Sequence, residues 1–270
     1  MTAASDERWF VALDVDGTIM HEDESIDPAV VEAVASAARR GHLVTLATGR
    51  SWSTTRPVLE HLGLEPEYVV TANGAITMRR DATSPDGWSQ AHVETFDPTD
   101  VLLRIRDELP SGRFLVELAD GYRLFTRGMS DWNLERAREV EFEGLFGQPA
   151  TRVVATSVDH DLDEFFEIVE RMGLHHVSYA IGWTAWLDIA PDGVNKATAL
   201  ERVRGWLGVP LRRVIAVGDG RNDIEMFQWA GAAGRAVAMG QAPAEVAAAA
   251  HERTGPIEEA GLAPVLDSLP

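Results

Sequence analysis

The chain has no cysteine among its 270 residues. Disulfide cross-links, thiolate zinc sites and cysteine nucleophiles are therefore excluded, and any metal must be held by oxygen or imidazole ligands. Long apolar runs are missing too. No stretch approaches the roughly 20 residues that cross a bilayer, so no membrane association is expected. Basic residues are scarce, 24 against 43 acidic ones, for a formal charge of -19. A field of that sign repels phosphate backbones and anionic lipid, so nucleic acid is not an expected partner. Met1 to Glu7 lack the basic, apolar and cleavage-site order of a secretory signal, which makes the cytoplasm the expected location. No internal repeat or low-complexity linker is found.

What is present is carboxylate and a regular alternation of patterns. Apolar residues at 45% and charged residues at 25% suit a soluble globular protein, and the length suits a large α/β core or a core carrying a smaller module. Near the amino end, Trp9-Phe10-Val11-Ala12-Leu13 runs into Asp14-Val15-Asp16-Gly17-Thr18. In an extended chain residues i and i+2 point the same way, so Asp14 and Asp16 can face one small site at a strand's carboxyl end. Gly17 then lets the backbone turn sharply.

The following segments read as strand and helix in turn. A strand at 10–14 precedes a helix from Asp27-Pro28 to Arg40, with Asp27 as N-cap, Pro28 in the first helical position and Gly41 as the stop. A strand at 42–47, a helix at 53–62 closed by Gly63, and a strand at 68–71 leading to Asn73-Gly74 come next. Strands spaced by helices predict a Rossmann-like, doubly wound parallel sheet, whose sites lie beyond the carboxyl ends of its strands. Asp14, Thr48 and Asn73 all fall there.

From about residue 81 the rhythm changes. A helix at 99–108, strands at 114–118 and 122–125 around Asp120-Gly121, a strand at 152–156, a helix at 162–172 and strands at 177–181 and 185–189 predict an α+β module. The βα rhythm returns with a helix at 196–207 and a strand at 213–217 that ends at Gly218-Asp219. The expected organisation is a discontinuous core, 1–80 and 189–270, with the module 81–188 inserted.

Four motifs stand in order: Asp14-Val15-Asp16-Gly17-Thr18, Thr48-Gly49-Arg50, Lys196 within Gly193-Val194-Asn195-Lys196, and Gly218-Asp219-Gly220-Arg221-Asn222-Asp223. With Asn73-Gly74-Ala75 and Met226, they make the chain resemble the phosphatases of the haloacid dehalogenase (HAD) superfamily, in the Cof-like subfamily IIB with a C2-type cap between its second and third motifs. The resemblance covers nearly the whole chain and is tightest outside the cap. It departs from the family at Ala197, where glycine is common, and at Val15 and Ile19, where leucine is common; none of these removes a functional group.

The resemblance implies Mg²⁺-dependent hydrolysis of a small phosphomonoester, a sugar phosphate or a phosphorylated cofactor, through an aspartyl-phosphate. Asp14 is then the nucleophile, and Asp16 the acid that protonates the departing alkoxide and later the base that activates water. Two anions approach one another only with positive charge between them, and oxygen ligands suit Mg²⁺. Asp14, the backbone carbonyl of Asp16 and Asp219 are its implied ligands, with Asp223 and Asn222 completing or orienting the shell. Lys196 and Thr48 would meet the phosphoryl group, and Gly17, Gly49, Arg50, Asn73 and Asn222 would bind phosphate or substrate. The cap would close over the core and select the leaving group, in a monomer or homodimer.

Each motif has a plainer reading when taken alone. Thr48-Gly49 is ordinary turn chemistry, a lysine beginning a helix is usually solvated, and Asp219 to Asp223 fits an acidic helix start. Their joint order carries the catalytic reading. A sugar phosphotransferase or phosphomutase, or a non-catalytic phosphate-binding protein on the same scaffold, are the alternatives. A phosphomannomutase-like enzyme would bring a longer glycine-rich fourth motif, which is not seen, whereas sucrose- and trehalose-phosphate phosphatases are nearer relatives. Trp183 and Trp186 are expected to pack in the cap or line its mouth, and the His175-His176 pair is not expected to bind metal.

Overall fold

A computed structural model describes residues 8–129, 136–174, 177–181 and 185–270. The chain forms two compact units, one built from the residues up to 91 and from 195 onward, the other from 92–194. His175, His176 and Trp183 lie outside the described residues. No helix among the described residues is long and apolar enough to cross a membrane.

The first unit begins with β1 (Phe10–Leu13), α1 (Pro28–Arg39), β2 (Leu43–Leu46), α2 (Trp52–Leu62), β3 (Tyr68–Thr71), β4 (Ile76–Arg80) and β5 (Trp88–Val93). Local chemistry sets the ends. The Asp27 carboxylate accepts the Ala29 N–H at 2.7 Å with Pro28 opening α1, and Gly63 closes α2 in the left-handed region at φ 59°. β3 and β4 pair antiparallel and β5 adds a third strand, so the first unit runs to residue 91. The sequence places the change of rhythm at about residue 81 because Ser84-Pro85-Asp86-Gly87 is a Pro/Gly/Asp-rich passage. It is a turn, with the Gly87 N–H donating to Ser84 O at 3.0 Å.

The second unit contains α3 (Thr99–Glu108), β6 (Arg113–Leu118), β7 (Arg123–Phe125), β8 (Ala137–Glu139), β9 (Ala150–Thr156), α4 (Leu162–Met172), β10 (Val177–Ile181) and β11 (Trp186–Pro191). Its sheet has the order β10-β11-β9-β6-β7-β8. Phe114, Val116, Val153, Leu187 and Ile189 pack with Leu102 and Ile105 of α3 and with Phe165 and Val169 of α4. Strand alternation sends Leu115 and Val154 the other way, where Trp186 packs against them. That face also buries two ion pairs, Glu117 with Arg123 at 3.3 Å and Arg152 with Asp188 at 2.7 Å.

The first unit resumes with α5 (Lys196–Leu207), β12 (Val214–Gly218), α6 (Ile224–Gly231), β13 (Arg235–Ala238), α7 (Ala244–Ala249), β14 (Glu252–Arg253) and α8 (Leu262–Asp267). Its main sheet is parallel throughout, in the order β14-β13-β12-β1-β2, and β3 joins β2 through an Ala47–Val70 bridge. Every residue of β1 and β12 is buried, as the central strands of a sheet covered on both faces require. This is the Rossmann-like order, with β1 beside β12 although some two hundred residues separate them. The loops after β1, β2, β3, β12 and β13 therefore share one edge.

Candidate active site

Asp14 and Asp219 are the first residues past two paired strands. Leu13 is in register with Val217, and the Asp14 N–H extends that ladder by donating to Val217 O at 3.0 Å. Lys196 arrives from α5. The Asn195 side chain accepts the Thr198 N–H at 3.0 Å while Thr198 Oγ1 accepts the Asn195 N–H at 3.1 Å, a reciprocal cap that fixes Lys196 in the first helical position. Its Nζ lies 2.6 Å from Asp14 Oδ1 and 2.7 Å from Asp223 Oδ1, fully buried. Asp223 Oδ2 accepts the N–H groups of Asp219 at 3.0 Å and Gly220 at 2.9 Å, so this carboxylate also shapes the loop that carries Asp219.

Two glycines are required by contact. A Cβ on Gly17, whose φ is 76°, would overlap the Asp219 carboxylate, and one on Gly218 would overlap that of Asp223.

Asp16 sits on the solvent side. Arg50 holds it with two nitrogens, Nη2 donating to Oδ1 at 2.7 Å and Nε lying 3.0 Å from each carboxylate oxygen. Thr48 is buried; its hydroxyl accepts the Arg50 N–H at 3.0 Å and its carbonyl accepts the Asn73 N–H at 3.0 Å. Asn73, at φ 50°, closes a tight turn and accepts the Asn222 amide at 3.0 Å. A Cβ on Gly49 would press on the same Asn73 amide. The residues singled out from sequence thus form two linked groups at one sheet edge: Asp14, Gly17, Lys196, Asp219 and Asp223, and Asp16, Thr48, Gly49, Arg50, Asn73 and Asn222.

Lys196 pairs with Asp14 and Asp223, and with Asp219 beside them the set would carry two negative charges in excess if all three carboxyls were ionised. Burial, reinforced by Asp223, raises the Asp14 carboxyl well above its ordinary range despite Lys196. Burial and then Asp223 push Asp219 up to about 7. Burial alone would lower the Lys196 ammonium, but Asp14 and Asp223 outweigh it and hold the group charged. A divalent cation fits this set. Oxygens of Asp14, Asp219 and Asp223 lie within 4.8 Å of one another, and Asp219 Oδ1 is buried without a hydrogen-bond partner.

One polar residue at this edge escapes sequence reading: Gln241, in the loop after β13, donates to Asp219 Oδ2 at 3.2 Å. Its only sequence signal is position just beyond a strand, and Arg235-Ala-Val-Ala238 is too short and alanine-rich to announce one.

A family model described as haloacid dehalogenase-like hydrolase matches residues 11–266. The chain belongs to that family. Among curated relatives of these hydrolases, the 5-amino-6-(5-phospho-D-ribitylamino)uracil phosphatase YitU of Bacillus subtilis is 26% identical over 94% of this chain and 95% of its own. The phosphoglycolate phosphatase of Natronomonas pharaonis is 34% identical over 88% of each. The fold is similar to that of the HAD subclass IIB sugar phosphatase BT4131, with a TM-score of 0.77 at 20% identity, covering 96% of this chain and 98% of that one. This haloacid dehalogenase-like hydrolase is a phosphatase.

Proposed function

We propose that the protein hydrolyses a small phosphomonoester, a sugar phosphate or phosphorylated cofactor, with Mg²⁺ and through an aspartyl-phosphate on Asp14. The observation that carries this reading is the buried cluster of Asp14, Asp219 and Asp223 at a parallel-sheet edge, with Lys196 paired to Asp14 and Asp223. The named activities of the curated relatives, on phosphorylated ribitylaminouracil and on phosphoglycolate, support the substrate class.

Asp14, Asp219 and Asp223 would hold Mg²⁺, with the Asp16 carbonyl completing the set. When bound, the ion would offset the negative charge of the carboxylates and of the phosphoryl oxygens. Lys196 holds Asp14 Oδ1 from one side, fixing the rotamer from which this carboxylate attacks phosphorus as the ester oxygen departs. Asp16, once released from Arg50, would protonate that oxygen and then take a proton from the water that hydrolyses the aspartyl-phosphate. The Thr48 hydroxyl accepts from Arg50 and keeps its own proton for a phosphoryl oxygen. Phosphomonoesters are among the slowest bonds to hydrolyse unaided, so these effects must act jointly.

Release of inorganic phosphate from a panel of phosphorylated metabolites, with Mg²⁺ and with chelator, tests the reading. The wild type is expected to turn over with Mg²⁺ only, and Asp14→Asn to lose nearly all activity, on the order of 10³-fold or more. Wild-type turnover in Asp14→Asn would remove Asp14 as nucleophile. Phosphoryl transfer to a sugar hydroxyl in place of phosphate release would make the enzyme a transferase.

A further inference from the structure

Gln241 makes three hydrogen bonds with one side-chain amide. Nε2 donates to the carbonyl of Gly17 at 2.5 Å and to Asp219 Oδ2 at 3.2 Å, while Oε1 accepts the Ile257 N–H at 3.1 Å. The amide's orientation follows from its partners: a peptide carbonyl only accepts and a peptide N–H only donates, so Nε2 must face Gly17 and Oε1 must face Ile257.

The consequence falls on Asp219. With Oδ2 engaged by Gln241, Oδ1 is the oxygen left buried and without a hydrogen-bond partner, on a carboxylate that has an oxygen within 4.8 Å of oxygens of Asp14 and Asp223. An aspartate turns about two side-chain bonds, and the like charges of its neighbours favour turning it away from them. Gln241 opposes that rotation. The same amide also ties down the turn between Asp16 and Thr18, so one group fixes both the loop after β1 and the carboxylate after β12.

We propose that Gln241 is a positioning residue for the divalent cation: by holding Asp219 Oδ2 and the Gly17 carbonyl it aims Asp219 Oδ1 at the ion. This rests on the Mg²⁺ reading above. Loss of a partner behind a metal ligand typically weakens metal binding by about 10 to 100-fold.

The test is metal binding without substrate. The full-length, metal-free protein is titrated with Mn²⁺, the free ion is followed by electron paramagnetic resonance, and Mg²⁺ is then added in competition. Gln241→Met keeps length and volume and removes all three hydrogen bonds. Its Mn²⁺ Kd is expected to rise about 10 to 100-fold, with kcat recovering at high Mg²⁺ and KM for a phosphate ester at saturating Mg²⁺ nearly unchanged. Gln241→Asn, one methylene short of spanning its partners, is expected to show a smaller rise, at least about 3-fold, and decides the matter if the Met variant does not fold. A folded variant that binds Mn²⁺ as the wild type does overturns the proposal for Gln241 alone. A wild type that binds neither Mn²⁺ nor Mg²⁺ overturns both the proposal and the metal reading beneath it.

Discussion

Lys196 is the only lysine in the chain; the other 23 of the 24 basic residues are arginine. Its place explains the exception. A compact ammonium fits between Asp14 Oδ1 and Asp223 Oδ1 in a fully buried space, where a planar guanidinium with five donors would leave some unpaired. That lone lysine is a signal composition offers directly. The neighbouring Asp219 carries a pH dependence that can be measured. Its carboxyl, pushed up to about 7 in the folded chain, titrates near 3.8 when unfolded. The metal-free folded protein thus holds a proton that the unfolded chain has already released. The stability this contributes is fully present below about pH 4 and is lost as pH rises through about 7. Asp219→Asn mimics the protonated form at every pH. The metal-free wild type is expected to lose more of its urea midpoint between about pH 5 and about pH 8 than Asp219→Asn does. Excess Mg²⁺ at the higher pH should restore the wild type more than the variant. Equal slopes would mean that Asp219 is ionised across the whole range.

At the scale of elements, the start of α5 joins stability to chemistry. Asn195 caps the helix whose first residue is Lys196, so fraying of the first turn moves Nζ away from Asp14. Asn195→Ala is expected to cost about 1 kcal/mol in urea unfolding and, on the proposed mechanism, to lower kcat, because the cap places the ammonium that holds Asp14 as well as starting a helix. Unchanged kcat with lowered stability would separate the two roles. Caps and stops of this kind are what made the helices legible. Spacing and punctuation alone predict helices at 99–108, 162–172 and 196–207, and those are the bounds of α3, α4 and α5. β4 and β5 were not legible because the Pro/Gly/Asp-rich turn between them breaks the strand–helix alternation, and β13 because its short alanine-rich run has neither strand nor helix period. Missing β13 meant missing Gln241, which only sheet order brings beside Asp219. The Arg50–Asp16 pairing was hidden for the same reason: 34 residues apart in sequence, they meet because β1 and β2 are neighbours.

At the scale of the whole molecule, a formal charge of -19 faces an anionic substrate. The site's own cations do little to offset this, since Lys196 is already paired with Asp14 and Asp223, and Arg50 with Asp16. A phosphate ester approaching from bulk solvent therefore meets net repulsion until it reaches the site. Repulsion of that reach is screened over about 10 Å at 0.1 M salt, whereas contacts inside the buried site are screened far less. Added salt should then speed encounter without weakening the bound complex to the same degree. With free Mg²⁺ held constant, kcat/KM for a phosphate dianion is expected to rise roughly 2 to 5-fold as KCl goes from about 10 to about 150 mM, while kcat changes little. The metal must be saturating, because salt also weakens attraction between Mg²⁺ and the acidic surface. A kcat/KM that falls with KCl would show that cations at the site steer substrate over a longer range than the acidic surface repels it.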